Sequence, residues 1–208
     1  ETNEPMDDAG AMAALALGAD RAEEIIDSLT LSRAAVGAAC VVVANRNAPN
    51  QSVVSGPTAA VRAVVDEATR LGERATLLNV ACAFHSPMVA AAATTLGARL
   101  NEIDLAEPRF DVYSNVTARP YGDADDVARL LAAQVAEPVR FTDEIEAMYA
   151  AGTRVFVEAG PGRVLSRLVG LTLGDRPHQA INCDVAGESS LNNLLDALGR
   201  LAMTGLPV

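Results

Sequence analysis

The stretch Leu77-Leu78-Asn79-Val80-Ala81-Cys82-Ala83-Phe84-His85-Ser86-Pro87-Met88 organises the reading of this chain. An apolar run ends in Phe84-His85, and Ser86-Pro87 then opens a helix with serine as cap and proline at the first helical position. A strand is expected over 75–83, which places an imidazole at a strand's carboxyl end, where open α/β sheets keep their ligand crevices. The chain has only 2 histidines. Histidine changes charge near neutral pH and suits proton transfer. A packed or capping histidine is the other reading of the same residue.

Working outward on the N-terminal side, 11–17 reads as a short strand, and Gly18-Ala19-Asp20 caps a helix through Leu29 with Ala22, Ile25, Ile26 and Leu29 on one face. The β-branched run 40–44, the turn 45–50 and the strand 51–55 read as a hairpin. Gly56-Pro57-Thr58 starts a second helix, with Val61, Val64, Val65, Ala68 and Leu71 facing inward and Gly72 ending it. The order β-α-β-β-α-β, closed by the strand 75–83, is the split ferredoxin-like arrangement. On the C-terminal side the expectations are a helix over 86–101, a strand over 110–116, helices over 125–135 and 142–151, and a buried strand over 154–158. The Ala159-Gly160-Pro161-Gly162 turn, a helix over 164–173, a strand over 179–184 and a helix over 191–203 complete the chain. Strands alternating with helices imply a parallel sheet covered on both faces. About three strands make a poor sheet alone, which points to further polypeptide.

The reading therefore divides the α/β chain into a linker-like start (1–10), a ferredoxin-like subdomain (11–83), part of a second α/β core (84–190) and a terminal helix with its linker (191–208). Glu1 is not preceded by methionine, which reads as an internal cut. A net charge of −11 disfavours a nucleic-acid-binding role, since phosphate backbones demand a basic face. No apolar stretch reaches the roughly 20 residues of a membrane span, and the acidic start is unlike a signal peptide. Cys40, Cys82 and Cys183 are odd in number and widely spaced, which fits a reducing cytosol and neither a disulfide framework nor a metal site.

The run Asn79 to Met88 resembles the histidine motif of malonyl-CoA:acyl-carrier-protein acyltransferases, including the acyltransferase domains of type I polyketide synthases. Further segments agree in the family's order: Val43-Ala44-Asn45-Arg46-Asn47-Ala48-Pro49-Asn50-Gln51, Tyr113-Ser114-Asn115-Val116-Thr117-Ala118, Gln134-Val135-Ala136-Glu137-Pro138-Val139-Arg140-Phe141 and Phe156-Val157-Glu158-Ala159-Gly160-Pro161-Gly162. The end of the chain (195–208) resembles the linker that follows such domains in a synthase. The wording of 45–51 is most similar to iterative enediyne or polyunsaturated-fatty-acid synthases.

The resemblance implies a ferredoxin-like small subdomain beside the C-terminal part of an α/β-hydrolase-like core. It also implies malonyl transfer from malonyl-CoA to the phosphopantetheine thiol of an acyl carrier protein through an acyl-serine. The family's serine lies in a Gly-His-Ser-x-Gly elbow, and none of the serines here stands in a Gly-x-Ser-x-Gly sequence. The expectation is that the N-terminal half, with the serine, the malonyl-pairing arginine and the oxyanion donors, lies elsewhere, leaving this chain inactive by itself. His85 is then the general base for an otherwise weak hydroxyl nucleophile. A main-chain carbonyl pins its other nitrogen in the family; Gln134 is the best match and Asn115 the alternative. Phe84 implies malonyl over methylmalonyl, because the ring fills the space of the α-methyl group, and Cys82 departs from the histidine usual in malonyl-type sequences. Asn45 and Asn47 are candidates for contact with the pantetheine arm, against ordinary capping of a turn. Gly160-Pro161-Gly162 lacks the residues of a phosphate loop and reads as a tight turn, His178 as a surface residue, and Cys82 as an inert thiol. Neither a metal nor a cofactor is implied. The partners implied are malonyl-CoA, the carrier protein, the absent half and neighbouring synthase domains; a non-catalytic ferredoxin-like scaffold that binds a carrier protein is the rival reading.

Overall fold

The structure is a computed structural model that describes residues 8–31, 41–122, 126–185, 187 and 190–205. The chain forms two compact units, Glu1–Glu144 and Ile145–Val208. In the first, β1 (Ala11–Leu15), α1 (Ala19–Leu31), β2 (Val42–Ala48), β3 (Gln51–Gly56), α2 (Thr58–Arg70) and β4 (Ala75–Leu77) follow in the expected order. Their four strands form one sheet in the order β2-β3-β1-β4. Every neighbouring pair is antiparallel, the split β-α-β topology. The one-sided stripes of the helices explain why they lie on this sheet. Ala22, Ile25, Ile26 and Leu29 of α1 join Val61 and Val64 of α2 in the core, where burial of apolar surface is the main stabilising term. Leu71 is the exception among the expected inward residues: it ends α2 and is 41% exposed.

β4 stops at Leu77, short of the expected Ala83. Its partner β1 begins at Ala11, so the ladder runs out; only the Leu78 N–H to Met12 carbonyl (2.9 Å) and Ala83 N–H to Ala9 carbonyl (3.0 Å) bonds continue it. His85 therefore lies in a turn eight positions beyond the strand, rather than at its end. β2 runs on through Asn45-Arg46-Asn47 to Ala48, and the turn shrinks to Pro49-Asn50. Two register shifts, at Val43/Asn45 and Arg46/Ala48, let the strand keep pairing across residues with poor strand propensity. Cys40 lies outside the described residues.

After β4 come a short 3₁₀ turn (Pro87–Val89) and α3 (Ala90–Leu100). The expected strand over 110–116 reduces to β5 (Tyr113–Ser114), paired antiparallel with β6 (Arg119–Pro120). Phe110 is left 77% exposed. α4 (Val127–Ala133) starts from Asp126, whose carboxylate accepts the Arg129 N–H, and ends two residues earlier than expected. α5 is Phe141–Ala150.

In the second unit β7 (Val155–Pro161) and β8 (Gln179–Asp184) form a parallel pair with α6 (Val164–Leu173) between them in sequence, and α7 (Ser190–Met203) follows. Among the described strands this is the only parallel pair, where three strands were expected. The expected tight turn at Gly160-Pro161-Gly162 is instead the end of β7: past a register shift Pro161 still pairs with Asp184, and Gly162, with φ +103, bridges the same residue. Glu158 accepts hydrogen bonds from the Leu165 and Ser166 amides and the Ser166 hydroxyl. Burial opposes its charge, but the Ser166 hydroxyl and these amides outweigh burial and hold the carboxyl below its ordinary value.

Within the first unit, Gly10 brings the start of β1 against the histidine turn. Its φ is +79, and a Cβ there would meet the Ala83 Cβ at 2.5 Å and the Gly56 carbonyl at 2.8 Å. Gly72 also has positive φ (+86), with open space around it. Gly72→Ala is therefore expected to cost only the backbone strain, about 1–3 kcal/mol, and Gly10→Ala clearly more. Urea unfolding midpoints of the two variants check the order.

Candidate active site

Residues 82–88 form a turn fixed from several sides. Ala83 is fully buried and Ser86 likewise. The Ser86 hydroxyl donates to the Ala83 carbonyl at 2.7 Å and accepts the Met88 N–H at 3.3 Å, so it caps the helical segment that follows. His85 has φ +56, a left-handed conformation uncommon outside glycine, though asparagine, aspartate and histidine adopt it more readily than other residues. Its N–H donates to the Val135 carbonyl at 3.0 Å, which compensates the strain.

The ring is oriented by the end of α4. His85 Nδ1 lies 2.9 Å from the Gln134 carbonyl oxygen and 3.1 Å from that of Glu137. Both oxygens can only accept, so Nδ1 carries the proton and Nε2 keeps the lone pair of a base. The last carbonyls of a helix lack intrahelical partners; here the strained turn takes up those just beyond α4. His85, Phe84, Leu131, Gln134 and Val135 line a cavity of about 340 Å³.

The expected site residues fare differently. Gln134 meets His85 through its main-chain carbonyl. Asn115 does not stand on Nδ1; its carbonyl accepts the Arg140 N–H at 3.0 Å. Phe84 is 42% exposed and borders the cavity. Cys82 is half-buried and absent from the lining; residues 82–84 turn rather than alternate, so it does not share a strand face with Phe84. Asn45 and Asn47 are half-buried strand residues of β2, and not turn caps. His178 belongs to the second unit, with Nδ1 2.7 Å from the Arg176 carbonyl. Ser86 caps the segment as read from the sequence, whereas the Glu137 and Val135 carbonyls were missed. Their only sequence signal is that a helix ending at residues 134–137 must find partners for its last carbonyls.

Residues 3–202 match the acyl transferase domain family. The chain belongs to that family. Over 162 residues it is 36% identical to the malonyl CoA-acyl carrier protein transacylase of Bacillus subtilis, covering 77% of this chain and 50% of that protein. Over 201 residues it is 31% identical to the phenolphthiocerol synthesis polyketide synthase type I Pks15/1 of Mycobacterium bovis, 96% of this chain and 9% of the synthase. Among solved structures, the acyltransferase domain from the second module of the salinomycin polyketide synthase superposes with a TM-score of 0.84 at 27% identity, covering 98% of this chain and 46% of that one. The Clostridium perfringens malonyl CoA-acyl carrier protein transacylase gives 0.79 at 31% identity, with 94% and 59% covered. The chain thus spans about half the length of the transacylase and about a tenth of the synthase. Among the described residues no helix is long and apolar enough to cross a membrane.

One titrating group of this acyl transferase domain lies outside the histidine turn. Glu144 is buried, and burial pushes its carboxyl from 4.5 up to about 7. Between those values the folded chain holds a proton that the unfolded chain has released. Its contribution is therefore fully present below about pH 4.5 and declines as pH rises through about 7. Glu144→Gln is expected to flatten that decline, checked by urea midpoints measured from pH 4.5 to 7.5.

Proposed function

We propose that this chain is the base-carrying part of an acyltransferase that moves a malonyl unit from malonyl-CoA to the phosphopantetheine thiol of an acyl carrier protein, in polyketide synthesis of the iterative type. The observation that carries the reading is the 2.9 Å contact between His85 Nδ1 and the Gln134 carbonyl, which leaves Nε2 as an acceptor. The nucleophilic serine comes from polypeptide outside these residues. The absence of a Gly-x-Ser-x-Gly sequence and the half-length match to the transacylase support this.

Nε2 takes the serine proton as the hydroxyl oxygen attacks the malonyl thioester carbon. The tetrahedral intermediate collapses, the bond to sulfur breaks, and the imidazolium returns the proton to the coenzyme A thiolate. The carrier thiol then gives its proton to Nε2, attacks the acyl-serine, and the serine oxygen recovers the proton. The carbonyls of Gln134 and Glu137 keep the ring in one tautomer and stabilise the imidazolium without burying a second full charge. Phe84 fills the space beside the α-carbon and favours malonyl over methylmalonyl. Asn45 and Asn47 lie toward the pantetheine arm, and Asn115 holds the chain at Arg140. On this reading the ferredoxin-like part (11–83), the core part (84–190) and the terminal helix with its linker (191–208) are the corresponding subdomains.

Reconstitution with a serine-bearing half tests this. Transfer of malonyl to carrier protein, read as the mass of the carrier, is expected only when both parts are present. His85→Ala should lower it about 10²–10⁴-fold, and an undiminished rate would sink the reading. Phe84→Ser should shift the malonyl-to-methylmalonyl ratio about 10- to 200-fold, the worth of one methylene in a pocket.

A further inference from the structure

The acceptor loop that holds His85 is itself held by the edge of the ferredoxin-like sheet. At the β2 bulge Val43 pairs with Val54 and Asn45 with Val53, so Ala44 has no place in the ladder to β3. Its carbonyl instead accepts the Val139 N–H at 2.8 Å, and the Arg46 N–H returns a bond to the Val139 carbonyl at 2.9 Å. Asn45 and Val139 thus form an isolated parallel bridge, one residue pair added to the outer edge of β2. The Thr142 hydroxyl donates to the Arg46 carbonyl at 3.0 Å. The Arg140 N–H is bonded to the Asn115 carbonyl. Only Pro138, whose φ is fixed, separates Val139 from Glu137, the second carbonyl on the His85 ring.

We infer that the β2 bulge and Thr142 are positioning elements for the His85 imidazole: they clamp the far end of the loop 134–140, while α4 anchors its near end. Bulges beside functional sites commonly re-aim backbone groups in this way. The inference rests on the proposed role of His85 as base, and gives the Asn45-Arg46-Asn47 segment a main-chain task distinct from substrate contact. Releasing the clamp lets the Gln134 and Glu137 carbonyls drift from Nδ1. The tautomer with the proton on Nε2, which cannot act as base, then becomes populated.

The test is nuclear magnetic resonance of the 208-residue chain labelled at histidine, which needs neither serine half nor substrate. The two imidazoles, His85 and His178, give a reporter and an internal control. In the wild type His85 should carry its proton on Nδ1, in slow exchange with water. Replacing Val139 by its α-hydroxy analogue deletes only the donor to Ala44, and Thr142→Val deletes the donor to Arg46. Each should speed exchange of the Nδ1 proton about fivefold, the worth of one net hydrogen bond, with His178 unmoved. Thr142→Ser, which keeps the hydroxyl, should behave as wild type. In the reconstituted enzyme Thr142→Val should lower kcat with KM unchanged. Unchanged His85 signals in both deletion variants, equal changes at His178, or failure of Thr142→Ser to restore the signal would overturn the inference. A His85→Ala enzyme that still transfers malonyl would remove the catalytic reading while leaving the clamp intact.

Discussion

An N–H donated from one imidazole nitrogen to a main-chain carbonyl is the interaction on which the site depends. His85 Nδ1 faces two oxygens that can only accept, at 2.9 and 3.1 Å, and this fixes which nitrogen is left to handle a proton. A carboxylate in the same place would bind the imidazolium more strongly, but it would bring a second charge needing its own solvation or partners. Carbonyls beyond a helix end lack intrahelical partners and carry the partial negative charge of the helix dipole. The carbonyls past the end of α4 can hold the ring on that physical basis.

Such an arrangement works only if two stretches far apart in sequence are held in register, the histidine turn at 82–88 and the loop at 134–140. On the histidine side the chain is drawn against Ala9 and Gly10, where the missing glycine side chain lets Ala83 close in. The buried Ser86 hydroxyl then sets the turn into the following helix. On the acceptor side the register comes from β2, through Ala44 and Arg46. Both sides are fastened to strands of one antiparallel sheet, whose core of small aliphatic residues is packed by α1 and α2. A close-packed core of this kind transmits position because it has little room to give.

Much of this was legible in the residues. The 3-, 4- and 7-spaced apolar positions of α1 and the β-α-β-β-α order came through because each half-buried helix must show one apolar face. Gln134 emerged from the family resemblance and meets the ring through its main chain. Less was visible where strand length depends on a partner. Residues 78–83 and 110–116 carry apolar runs, yet β4 ends opposite Ala13, near the start of β1, and β5 pairs with a short local strand instead of a parallel neighbour. The Asn45-Arg46-Asn47 segment looked like a turn because asparagine favours turns. Pairing with β3 and the bridge to Val139 override that preference.

By itself, then, the order of residues determined the helix faces, the split sheet topology, the histidine motif of residues 79–88 and the family to which the chain belongs. These follow from local spacing and residue type, which a linear sequence records directly. Tertiary structure alone decided the tautomer of His85, the second carbonyl on its ring, the left-handed turn that carries it and the bulge that braces the opposing loop. Each is a main-chain hydrogen bond or torsion, common to nearly every residue type, so no side-chain letter marks it. Only the meeting of distant segments gives those groups their partners.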